Sequence, residues 1–194
     1  ATTFTFNYDV TRPTAAITSP ADAAHMTSLT TISGTSIDAF TGVEKAQVRI
    51  TSGTQTWNGT TWAAGENWVT ATATNPWTYV LPSTALPNGS IAGLLARASD
   101  YAGNIQTFQS TITVTIDQTN PTAAVTVPAD GASPTSIPSI SGTAADASPG
   151  ALNRVDVYIR RTSDGFYWNG ISAFVTSGSP SWMNATGLAS WSYD

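Results

Sequence analysis

Residues 3–38 read TFTFNYDVTRPTAAITSPADAAHMTSLTTISGTSID, and residues 111–146 read TITVTIDQTNPTAAVTVPADGASPTSIPSISGTAAD. Laid over one another without a gap, at an offset of 108, 20 of the 36 positions are identical. The correspondence continues with small insertions. Ala46, Val48 and Ile50 answer Val155, Val157 and Ile159. Trp57-Asn58-Gly59 answers Trp168-Asn169-Gly170, and Trp77-Thr78-Tyr79 answers Trp191-Ser192-Tyr193. Self-similarity at a fixed spacing marks a tandem array, and the chain reads as one with a period near 108 residues.

Within each block the pattern is that of strands. Ala46, Val48 and Ile50 alternate with Gln47, Arg49 and Thr51, the period of two that half-buries a strand. Ile112, Val114 and Ile116 alternate with polar neighbours in the same way, and Leu94, Ala96 and Ala98 less cleanly. Composition agrees: Ala, Thr and Ser fill 82 of 194 positions, and Ile plus Val outnumber Leu by 23 to 7. β-branched side chains crowd helices and suit pleated sheets. The segment Asp100–Asn104 reads as a tight hairpin, with an Asp that bonds its own backbone and a Gly free to take positive φ. Asn-Gly at 58–59 and 169–170 is a two-residue hairpin signal. Roughly seven short strands per ~100 residues, with turn signals between them, predict an all-β two-sheet sandwich.

The residues also carry a family likeness. Asp117-Gln-Thr-Asn-Pro121, then TAAVTVPADG and ISGTAAD, resembles the opening of a bacterial immunoglobulin-like (Big-type) repeat. ARASDYAGN at 96–104 resembles that family's strand-turn-strand before its last strand. The resemblance implies tandem immunoglobulin-like β-sandwich repeats serving as an extracellular spacer or binding module, usually without catalysis. The Trp-rich hairpin at 57–68 is more aromatic than a plain spacer needs. On this reading residues 1–9 are the last strand of a preceding repeat, and 10–118 form a complete repeat. Residues 119–194 form a second repeat without its final two strands, because nothing follows Asp194 to match residues 81–117. A sandwich lacking both would expose core and sheet edge. We therefore expect completion by a longer chain, or by strands of another molecule.

Several functions are disfavoured at once. Seven basic residues, a net charge of −5 and a pI near 4.5 offer no footprint for nucleic acid or an anionic membrane. No apolar run approaches the ~18–20 residues of a membrane helix. The absence of cysteine removes disulfides and thiolate chemistry, and the single histidine, His25, answers Ser133 and is expected exposed in a polar loop. The two glutamates, Glu44 and Glu66, do not recur in the second block, and most aspartates sit at strand ends and turns, so no acid–base pair is expected. A Lys–Asn isopeptide crosslink would have to use Lys45, the sole lysine. We expect no enzyme.

Three sets of residues remain as candidate sites. Asp9 and Asp117 precede the linker prolines, Asp38 and Asp146 end equivalent strands, and Asp100 with Asn104 lies in a turn near the same sandwich end. Calcium takes six to eight oxygens, so a junction gathering these groups would suit it, although turn chemistry explains each Asp singly. No cofactor is required. Trp57, Trp62, Trp68 and Trp168 would stack on sugar rings of a surface polysaccharide if exposed on one face; otherwise they fill cores. Thr3, Phe4, Thr5, Phe6, Asn7 and Tyr8 form a strand that another molecule could accept. The expected role is a structural or adhesive segment of a prokaryotic cell-surface repeat protein: a stalk, fibre or adhesin shaft. Its partners are neighbouring repeats or copies of itself. The alternatives are a carbohydrate-binding accessory module and a fibre subunit completed by strand donation.

Overall fold

The computed structural model describes residues 2–107, 111–176 and 179–194. Every regular element among them is a strand. The chain divides into two units, Ala1–Gln118 and Thr119–Asp194.

The first unit is two sheets on one core. Strands β1 (Thr14–Ser19), β3 (Thr31–Ile37) and β8 (Trp77–Val80) form the smaller sheet, with β3 central. The larger sheet runs β2 (Ala24–Met26), β10 (Ile112–Ile116), β9 (Ile91–Asp100), β4 (Val43–Ser52), β5 (Gln55–Trp57), β6 (Trp62–Ala63), with β7 (Val69–Thr70) also on β4. The long β4–β9 ladder follows from the sequence alternation. Ala46, Val48 and Ile50 are wholly buried opposite Ala98, Ala96 and Leu94, while the intervening residues face outward. Val114 and Ile116 on β10 are wholly buried, as the alternation predicts. Ile32, Trp77, Val48, Leu94 and Val114 belong to one continuous cluster, so both sheets share a single core.

A glycine sits at the centre of that packing. Gly34 on β3 faces Trp77 on β8, and a Cβ there would collide with the Ala16 carbonyl and the Trp77 ring. Only glycine lets the indole lie flat on the neighbouring strand.

In the second unit β11 (Thr122–Val127), β12 (Ile140–Ala145), β18 (Ser190–Tyr193) and β17 (Thr186–Gly187) form one sheet, in that order. Two short pairs accompany it: β13 (Asp156–Val157) with β16 (Met183–Asn184), and β14 (Tyr167–Trp168) with β15 (Phe174–Val175). The β11–β12 register, Thr122↔Ala145 through Val127↔Ser141, repeats Thr14↔Ile37 through Ser19↔Ser33 at the 108-residue offset, including the bulge. Gly142 lies under Trp191 against the Ala124 carbonyl, as Gly34 lies under Trp77 against that of Ala16.

Three expectations change. Residues 2–13 carry no strand, so the segment read as the last strand of a preceding repeat is irregular and exposed. His25, expected in a loop, lies exposed in β2, because the free edge of β10 recruits Ala24–Met26 as a parallel partner. The two Asn-Gly turns are four-residue loops or longer. The Asn58 side-chain oxygen, Oδ1, accepts from the Thr60 and Thr61 amides at 3.0 and 2.9 Å. That of Asn169 accepts from the Ile171, Ser172 and Ala173 amides.

Candidate functional site

The hairpin after β9 builds the most concentrated chemistry in the molecule. Gly103, at φ +90°, lets the chain reverse so that the Asn104 amide reaches Asp100 Oδ1 at 2.7 Å. The Asn104 side-chain amide donates to Asp100 Oδ2 at 2.8 Å and to the Asp9 carbonyl at 3.1 Å. This ties the N-terminal segment to the turn. Asp100 is 1% exposed. The carboxylates of Asp9, Asp38 and Asp100 converge there, one oxygen from each lying within 4.8 Å of the others. None of the three takes part in an ion pair among the described residues.

Local turn chemistry holds each acid. Asp38 Oδ2 accepts from the Phe40 and Gly42 amides, both at 2.9 Å, which closes the loop after β3. Asp38 Oδ1 is buried with no partner. Asp9 Oδ1 accepts from the Thr11 amide at 2.8 Å and from its hydroxyl, and Oδ2 from the Thr41 hydroxyl at 2.6 Å. The Thr11 hydroxyl, followed by that of Thr41, holds the Asp9 carboxyl below its ordinary pKa. Three carboxyl groups, one with a free buried oxygen, supply part of the six to eight hard oxygens that a divalent cation such as calcium takes. Asp9, Asp38 and Asp100 would hold it. Asn104 and the two threonines position those carboxylates. The threonine hydroxyls escaped the sequence reading; nothing sets Thr41, three residues after Asp38, apart from the other threonines of the chain.

Asp117 and Asp146 are not among the carboxylates that converge there. Asp117 follows β10 and donates its amide to the Met26 carbonyl at 2.9 Å. Asp146 follows β12 in the second unit, and its Oδ1 is buried without a partner, like that of Asp38.

Within the first unit Trp57, Trp62 and Trp68 form no open platform, because Trp57 is buried and the Trp68 ring is covered. Trp57 is 5% exposed, and its indole N–H donates to the Tyr79 hydroxyl at 2.9 Å. Trp62 meets Trp57 edge-on at 65° and donates to the Ala85 carbonyl at 2.8 Å. Trp68 donates to Glu66 at 2.6 Å, and the Arg97 guanidinium covers its ring at 4.1 Å from the centroid. Arg97 in turn donates to Gln47 at 2.9 Å. Trp168 packs edge-on against Phe174 at 61°. Phe4, Phe6 and Tyr8 of the N-terminal segment are 87, 88 and 78% exposed.

No protein-family model and no curated protein matches the chain. Among solved structures, an engineered protein described as a Northeast Structural Genomics Consortium target is 20% identical, with a TM-score of 0.33. That match covers 54% of this chain, which spans about a fifth (20%) of the engineered protein's length.

Proposed function

We propose that the chain is a non-enzymatic structural segment of an extracellular or cell-surface repeat protein, built of tandem immunoglobulin-like sandwiches at a period of about 108 residues. The observation that carries this reading is the duplicated strand register with its glycine-under-tryptophan contact. Gly34 with Trp77 and Gly142 with Trp191 repeat the same close approach on strands paired alike. A duplicated core built of strand pairs around a buried tryptophan suits a load-bearing shaft in which a proline follows each linker aspartate. A weakly charged surface rich in Thr and Ser suits a solvated exterior. Antibodies raised against the chain should label intact, unpermeabilised cells of its source. Labelling only after permeabilisation would overturn the reading.

A second reading concerns the acidic cluster: Asp9, Asp38 and Asp100 bind calcium and lock the N-terminal segment onto the end of the first unit. The free, buried Asp38 Oδ1 favours it. The covered Trp68 ring and the buried Trp57 do not favour a sugar-stacking platform in the first unit.

A further inference from the structure

The outward face of the larger sheet in the first unit gathers charge that the array reading does not use. Along β4 the outward positions include Lys45, Gln47 and Arg49, and along β9 they include Leu95, Arg97 and Ser99. They pair as Lys45↔Ser99, Gln47↔Arg97 and Arg49↔Leu95. Three of the seven basic residues of a chain with net charge −5 therefore share one face. Arg49 and Arg97 are diagonal neighbours across the β4–β9 ladder, an offset at which long side chains reach one another.

The two guanidiniums are held differently. Arg97 is fixed in place: its plane covers Trp68 at 4.1 Å from the ring centroid, and its Nε donates to Gln47 at 2.9 Å. Among the described residues its terminal amines donate to nothing. Arg49 makes no hydrogen bond there, since its Nε is buried without a partner and its Nη1 lies 3.9 Å from Glu66 Oε1. That long contact leaves Arg49 able to turn toward a better acceptor. Glu66 shows which chemistry this face takes. Its Oε1 accepts from the Trp68 indole N–H at 2.6 Å, and its charge offsets part of the burial that lowers the Arg97 pKa. Yet the Glu66 side chain is 59% exposed and makes no hydrogen bond to either guanidinium. Neighbouring guanidiniums with uncommitted amines match a planar carboxylate, which takes paired N–H donors.

We propose that Arg49 and Arg97 form a binding site for the carboxylate of an external ligand, with Glu66 as the chain's own loosely held stand-in for it. Arg97, braced by Trp68 and Gln47, supplies the preorganised fork, and Arg49 closes on the other side. A chain of net charge −5 repels polyanions, so the ligand is a small, singly charged carboxylic acid. A sugar acid and an acylated amino acid both present that group, and separate probes distinguish them. The inference rests on the first unit alone and uses neither the repeat nor the acidic cluster, so it stands or fails apart from both.

The test is nuclear magnetic resonance of the nitrogen-labelled 194-residue chain, following the Trp68 indole N–H and the Arg97 Nε–H. Glucuronate and N-acetylglycine are titrated separately, against chloride at equal ionic strength. The expected result is saturable movement of both signals with at least one acid and none with chloride. The acid that saturates identifies the ligand as sugar-like or peptide-like, and saturation by both makes the carboxylate itself the recognised group. Glu66→Gln keeps an acceptor for the Trp68 N–H but removes the competing charge, so it should tighten binding at least about threefold. Arg97→Lys keeps the charge and loses the fork, so it should weaken binding at least about tenfold. The amide signals of β4 and β9 verify that both variants keep their fold. No saturable movement with either acid, affinity unchanged in Glu66→Gln, or affinity unchanged in Arg97→Lys would each overturn the proposal.

Discussion

Asp38 divides its work between two oxygens. Oδ2 closes a loop through two backbone amides, and Oδ1 faces inward with nothing to accept from. A buried acceptor left bare costs free energy comparable to a lost hydrogen bond, and two further carboxylates lie beside it. A cation would relieve both penalties together. Calcium at a hundredfold excess over its dissociation constant should stabilise the first unit by about 2.7 kcal/mol, read as a rise in melting temperature that a chelator reverses. Asp38→Asn should abolish that rise while leaving a folded protein. A melt indifferent to calcium and chelator would return all three residues to turn chemistry. The residues of this cluster were legible in sequence because Asp9 and Asp38 recur as Asp117 and Asp146 and Asp100 begins a recognisable turn. Their donors were not: Thr41 is one threonine among many, and only the folded loop brings it to Asp9.

At the scale of the element, β3 and β12 are built around a missing side chain. Gly34 and Gly142 have ordinary extended backbone, so their necessity comes from the indole above and the carbonyl beside them. Gly34→Ala should force β8 or β1 to shift and cost about 3 kcal/mol, at the upper end of overpacking effects, measured by urea unfolding. An unchanged midpoint would mean that the strand pairs slide freely. The alternation in β4 and β10 could be read directly, since Ala46, Val48, Ile50, Val114 and Ile116 are buried where a period of two places them. The parallel pairing of β2 was hidden, because three residues carry no periodicity and the partner lies about 90 residues away. Arg97 shows a related limit. Alternation marks it as outward-facing, but its cover over Trp68 depends on how β9 and the loop before β7 fall together.

Across the whole molecule the two units differ in how much apolar surface they hide. Of 23 buried apolar side chains among the described residues, five belong to the second unit. Burial is the dominant favourable term in folding, so the units should not melt together. Denaturant titration of the chain should show two transitions, the earlier one belonging to residues 119–194. One coincident transition would mean that the units stabilise each other cooperatively, and a single free energy would then describe the chain. With four ion pairs among the described residues, each with at least one partner more than a third exposed, surface electrostatics contribute little to either step.

The paired tryptophans also equip the chain with its own optics. The indole N–H groups of Trp77 and Trp191 are buried without an acceptor, and each ring is at most 5% exposed. An indole in such dry surroundings emits toward the blue, and it shifts red when water reaches it. Trp77→Phe and Trp191→Phe would remove these two contributions one at a time, and the difference spectra would isolate each from the five tryptophans that remain common to both. Light from a single polypeptide would then report which of its two cores has opened, with no dye attached.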